Sequence, residues 1–268
     1  MKGAYPSLAQ RGFVMPTRLK AAAYEAASSA GARGRSWQTS GAGPNAAAVQ
    51  NLPLIRSRAR DAIRNDPWAK TAIARLVSNT IGTGIQPHPQ HPDPAVRRQQ
   101  KQLWDDWVGE SDADGLLDFY GQQTLAARAF FGDGEVLVRR RLRHPDDGLS
   151  VPLQLQVMEG DLLPVEKNEL RPDGGEIING VEYDADDRRV AYHLLRRHPG
   201  EYNRMTGGGL MTVPVSADDV AHVFQPLRAG QVRGVPELST VLLRLHSLDN
   251  FDDAVLFRQE ISNLFAGF

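Results

Sequence analysis

The hydrophobic period of this 268-residue chain changes at Gly134, and that change limits the folds open to it. Upstream, apolar residues recur every three or four positions. Ile55, Ala59, Ala62 and Ile63 mark one helix. Asp66 and Pro67 supply an N-cap and first-turn proline for a second, with Ala69, Ala72, Ile73, Leu76 and Val77 on one face up to Gly82. Asp93 and Pro94 repeat the signal ahead of Val96, Leu103, Trp104, Trp107 and Val108, and Asp118 to Phe131 forms a fourth helix closed by the Gly-Asp-Gly turn at 132–134. Downstream, the period is two. Val136, Val138 and Leu142 alternate with Leu137, Arg139 and Arg141, and Leu153, Leu155 and Val157 alternate with Gln154, Gln156 and Met158. Asn179-Gly180 predicts a type I′ hairpin tip, since both central positions of that turn need positive φ. Residues 189–195 and 220–224 read as further strands, and 200–212 as a glycine-rich loop. From Pro236 a helical face returns with Leu238, Val241, Leu242, Leu245 and Leu248. The expected class is α+β: helices from about 54 to 131, a small antiparallel sheet from about 134 to 224, and a long carboxy-terminal helical segment.

The first 50 residues do not take part in this pattern. Ala, Gly and Ser fill 24 of them, and few large apolar side chains recur to offset the entropy of ordering, so 1–50 is expected to be a flexible arm. It is also basic. Residues 1–64 hold ten Lys and Arg against Glu25 and Asp61, a charge of +8, whereas 65–268 carries -9. A basic arm ahead of an acidic body suggests a polyanion partner or an arm that pairs with acidic surface. With no cysteine, disulfides, thiolate metal sites and a cysteine nucleophile are excluded. No apolar run approaches the 18 or so residues of a membrane-spanning helix.

Few motifs carry chemistry. Asp-Ala-Asp-Gly-Leu-Leu-Asp at 112–118 starts like a calcium loop, but Leu117 stands at the required glycine and Gln123 at the bidentate glutamate, so a capping turn is the better reading. His88 and His91 lie in a proline-rich loop with no regular element to aim them. Glu135, Glu159 and Asp161 sit at strand ends, where paired carboxylates could hold a metal for phosphodiester chemistry, although turn and edge positions account for them as well. There is no phosphate loop, no nucleophile elbow and no His-Glu-x-x-His, so no catalytic, cofactor or metal residue is assigned. Two basic clusters remain. Arg139 and Arg141 share one strand face with Arg143, and Arg228 and Arg233 lie on the loop Gln-Pro-Leu-Arg-Ala-Gly-Gln-Val-Arg-Gly-Val-Pro at 225–236. Such guanidinium forks suit DNA phosphates or carboxylates of a neighbouring subunit, and Arg228 and Arg233 are expected to bridge neighbours while leaving the subunit itself folded without them.

Six segments in register carry a family resemblance: 59–87 (ARDAIRNDPWAKTAIARLVSNTIGTGIQP), 104–121, 131–141 (FGDGEVLVRRR), 153–163 (LQLQVMEGDLL), 179–195 and 224–245 (FQPLRAGQVRGVPELSTVLLRL). Over about 52–268 the chain resembles the lambda-type portal proteins of tailed phages. The resemblance implies a structural subunit of a homo-oligomeric ring of about twelve copies at one capsid vertex. Through that ring double-stranded DNA is packaged and ejected without sequence specificity. Terminase, capsid and neck proteins would be its partners, with no membrane, no active site and no cofactor. The implied location is the virion, and the host cytoplasm during assembly. Residues 51–235 would be the wing-like domain and 236–268 the start of the helical channel region. Family members continue well past the end of this sequence, so a fragment, an engineered truncation or a decayed prophage product is expected. Two other classes compete: a basic-armed nucleic-acid-binding module and a metal-dependent phosphodiesterase.

Overall fold

A computed structural model describes residues 39–201 and 211–265. The expected arm as far as residue 38, and the glycine-rich loop over 202–210, lie outside the described residues. From Gly43 the chain forms one compact unit of class α+β. Among the described residues four helices come first: α1 (Pro44–Asn65), α2 (Pro67–Ile81), α3 (Pro94–Glu110) and α4 (Phe119–Asp133). The Asp66 carboxylate accepts from the Trp68 and Ala69 N–H groups, Asp93 from Ala95, and Asp118 from Gly121, so all three caps fall where the sequence places them.

Helix α1 starts about ten residues ahead of its predicted onset. Residues 44–50, assigned by composition to the flexible arm, are its first two turns. Tertiary contacts hold them. The Asn45 side chain donates to the Gly230 carbonyl and accepts from the Val232 N–H, both at 3.0 Å, and its own carbonyl accepts from the Asn179 amide at 3.2 Å. Long-range bonds of this kind are invisible to a composition argument.

Eight strands follow: β1 (Glu135–Leu142), β2 (Leu153–Glu159), β3 (Glu169–Leu170), β4 (Glu176–Ile178), β5 (Val181–Tyr183), β6 (Arg189–Leu195), β7 (Thr212–Ser216) and β8 (Val220–Phe224). They form two antiparallel sheets rather than the single one expected, a three-stranded sheet of order β2-β1-β8 and a five-stranded sheet β3-β4-β5-β6-β7. Leu137, Met158 and Val220 from the first meet Val181, Tyr192, Leu194 and Val215 from the second in a shared core. Strand β1 is central, so Val136 and Leu137, on opposite faces, are both buried. Ala59, Ala69, Ile73, Val77 and Ala127 of the helices make a second core, joined by Leu238 and Leu242 from the carboxy-terminal segment. That segment is a 3-10 turn (Glu237–Thr240) leading into α5 (Leu242–Phe265).

The hairpin tip is as the sequence predicts, with φ of 50° at Asn179 and 87° at Gly180. It is also buried: Asn179 is 1% exposed, and a Cβ on Gly180 would crowd Leu163 and the Pro164 carbonyl. Asn179→Val therefore combines a β-branched residue in a left-handed conformation, about 1–2 kcal/mol, with loss of the hydrogen bond to Asn45, about 1 kcal/mol. Urea denaturation should show a loss of roughly 2–3 kcal/mol.

Candidate functional site

The junction between helices and sheets is ionic rather than apolar, and it is built around Glu135, the first residue of β1. The chain reaches it through Gly134, whose left-handed φ of 88° ends α4. The 225–236 loop crosses directly over this turn. A side chain on Gly134 would collide with the Val235 backbone, and one on Gly234 with the Gly134 carbonyl, so two glycines permit the crossing. The crossing delivers Arg233 to Glu135. Its Nε donates to Glu135 Oε1 at 2.8 Å and its Nη2 to the same oxygen at 2.5 Å, while the Gly234 N–H donates to Oε2 at 2.7 Å. The remaining guanidinium hydrogens reach the carbonyls of Leu163 (2.7 Å), Asn179 (3.1 Å) and Gly160 (2.7 Å). One buried arginine thus ties together β1, the hairpin tip and the loop after β2.

A second arginine closes the cluster from α1. Arg56 contacts Glu135 at 2.5 Å and Asp161 at 3.0 Å, and its Nε donates to the Asp133 carbonyl. Arg60, one turn on, pairs with Asp133 at 2.8 Å, with Glu159 at 3.4 Å and with Asp161. His222, opposite Leu137 on β8, completes it with Nε2 at 3.1 Å from Glu135 Oε2. Burial pushes the Glu135 carboxyl up, but the Arg233 and Arg56 guanidinia and His222 outweigh it and hold it well below its ordinary value. Asp161 shows the same balance, burial opposed and overcome by Arg56 and Arg60. Burial lowers the pKa of His222, with Glu135 offsetting only part of the effect, so the imidazole is neutral and donates Nε2–H to the carboxylate.

These directions fix how stability depends on pH. The unfolded chain binds a proton at His222 below about 6.5 while the folded chain resists it, so stability begins to fall there. Glu135 and Asp161 contribute stability above their ordinary values of 4.5 and 3.8 and lose it as pH falls toward their lower folded values. The melting temperature should be level near neutrality, decline below about pH 6.5 and drop steeply below about pH 4.5. A melting temperature unchanged from pH 7 to pH 4 would contradict this.

The sequence-predicted residues divide accordingly. Glu135, Glu159 and Asp161 are brought near one another, but Arg56, Arg60 and Arg233 supply the cations between them. Glu159, Asp161 and His198 do place ligand atoms within 4.8 Å of one another. Arg60 is bonded to both carboxylates of that trio, so a metal would have to displace a guanidinium. Arg233 requires a correction: it is 1% exposed and spent inside its own subunit, so it does not reach a neighbour's carboxylate or DNA. Arg228 is on the exposed part of the same loop. Arg139 and Arg141 are half-buried on one face of β1. Asp112 accepts from the N–H groups of Asp114, Leu116 and Leu117, and Asp118, the residue expected to cap the next helix in place of a calcium loop, accepts from the Gly121 N–H. Sequence reasoning misses Arg56. Its one signal is its place in the helix, since Leu52, Arg56 and Ala59 follow helical spacing and all three are buried.

Away from this cluster lies α5, which presents the opposite chemistry. Every residue from His246 to Leu264 is exposed, Phe251, Leu256, Phe257 and Leu264 among them, the last at 72%. Leu242 and Leu245, in the first turn of the helix, pack against the helical core.

The family described as phage portal protein, lambda family, matches residues 30–268. A relative described as a probable portal protein, from Halomonas phage phiHAP-1, is 30% identical over 224 residues, which is 80% of this chain and 42% of that protein. The chain therefore spans about two fifths of the length of that curated relative. The family match runs over most of the sequence, and the chain belongs to the lambda family of phage portal proteins.

Proposed function

We propose that this chain is a structural subunit of a portal ring, assembling with copies of itself at a capsid vertex through which double-stranded DNA passes. The observation that carries the reading is α5. A helix exposed on every side from residue 246 to 264, yet bearing Phe251, Val255, Leu256, Phe257, Ile261 and Leu264, is not a solvent-facing helix. Ring packing covers such a helix, because each copy meets a neighbour on two different sides. In this reading residues 51–235 form the wing, and 236–268 begin the channel region. Terminase, capsid and neck proteins are the further partners, in the virion and in the host cytoplasm during assembly. The role is structural: the Glu135 cluster fixes the angle between helices and sheets and performs no chemistry.

Light scattering over a range of protein concentrations tests the reading. Association that grows with concentration, persists in high salt and is unaffected by nuclease supports it. A protein that stays monomeric without nucleic acid and associates only on a polyanion favours the basic-armed nucleic-acid-binding module, whose affinity falls steeply with salt.

A further inference from the structure

The arginines in the outer half of β1 fall into two classes. Arg140 is ion-paired with Asp219, Nη2 to Oδ1 at 2.9 Å, and Arg143, just past the strand, donates to Gln154 Oε1 at 2.7 Å. Arg139 and Arg141, on the face opposite Arg140, have no hydrogen-bond or ion-pair partner among the described residues. The Arg139 Nε is buried with no acceptor, which leaves a charged donor unsatisfied. Burial and the like charge of Arg141 both act against its protonated form, with Asp219 only partly compensating. The acids close by are engaged elsewhere: Asp219 holds Arg140, and Asp114 accepts from Gln156, the cross-strand neighbour of Arg139. Two forks are thus held close against their own repulsion, neither with an acceptor among the described residues.

We propose that Arg139 and Arg141 form an oxyanion site that grips the phosphate backbone of double-stranded DNA, one guanidinium to each of two successive phosphates. Residues two apart on a strand project to the same side about 7 Å apart, a fixed interval between like charges. A polyanion with a regular repeat meets that interval without rearrangement, whereas a protein partner would have to place two carboxylates at the same spacing. Arginine forks also grip phosphate in two parallel hydrogen bonds. The choice of DNA as ligand rests on the portal reading; the unpartnered site does not.

The test is binding of a labelled DNA duplex to the full chain, followed by fluorescence anisotropy across a salt series. Arg139→Gln/Arg141→Gln should flatten the slope of log affinity against log salt by about 1.8, at about 0.9 for each phosphate no longer neutralised. Arg139→Lys/Arg141→Lys, which keeps the charges, should retain the slope. Both variants should melt as the parent does, since neither side chain holds a hydrogen-bond or ion-pair partner among the described residues. An unchanged slope in the glutamine variant overturns the site, as does a parent chain that fails to bind the duplex. Polyglutamate bound through these arginines in place of DNA also overturns it and assigns the pair to a carboxylate partner. Light scattering is read separately: a chain that never associates but shows the slope change loses the ring reading and keeps the site.

Discussion

Arg233→Met should reduce the unfolding free energy by about 3–5 kcal/mol, the range for removing one partner of a buried ion pair. The chain would then show a large fall in its urea midpoint or would not accumulate in folded form. Three features set the size of the effect. Glu135 and Arg233 are completely buried, so no water replaces the missing guanidinium. The same guanidinium satisfies three backbone carbonyls, of Leu163, Asn179 and Gly160, which would be stranded together. Gly134 and Gly234 leave no room for the crossing to shift. Glu135→Gln should cost a comparable amount, because Arg56 and Arg233 would then face each other without the carboxylate between them. The double variant Arg233→Met/Glu135→Gln should cost clearly less than the two single effects added. Additive effects would show that the two residues act independently, contrary to the geometry. By contrast, Arg228 is exposed on the same loop and can be charge-reversed without this penalty.

How far the sequence reveals this structure depends on the range of the interactions involved. The caps at Asp66, Asp93 and Asp118, the left-handed turn at 179–180 and the break at Gly134 are local, and each is where residue type and spacing put it. The division of strands into two sheets is not local: β1 pairs with β8 across more than 70 intervening residues, and alternation alone does not name a strand's partner. The early start of α1 depends on Asn45 meeting Gly230 and Val232. The burial of Arg233 escapes the sequence for the same reason. A glycine- and proline-rich loop carrying arginines reads as an exposed fork, and only the crossing over Gly134 turns it inward. Arg56, His222 and Asp161 are visible as residues, but nothing short-range in the sequence shows that they converge on Glu135.

The second large effect is expected at α5. Phe251→Ser/Phe257→Ser should leave the urea midpoint of the subunit unchanged, because both rings are already exposed at 63% and 64%. The same pair should greatly weaken self-association. Burying one phenylalanine side chain is worth about 1.5–3 kcal/mol, so removing two from an interface corresponds to roughly a hundredfold to ten-thousandfold in the association constant. Sedimentation velocity over a hundredfold range of concentration separates the outcomes. Equal association by parent and variant would show that the helix is not the contact surface. A lowered urea midpoint in the variant would show that α5 folds against its own body in solution.

The central claim, that copies of this chain close into a ring, is tested most directly by electron microscopy of negatively stained protein, with class averages inspected for rotational symmetry. The account predicts closed annular particles of a single rotational order, disrupted by Phe251→Ser/Phe257→Ser and preserved at high salt. A field of isolated subunits at high protein concentration, or open filaments in place of closed rings, would contradict it.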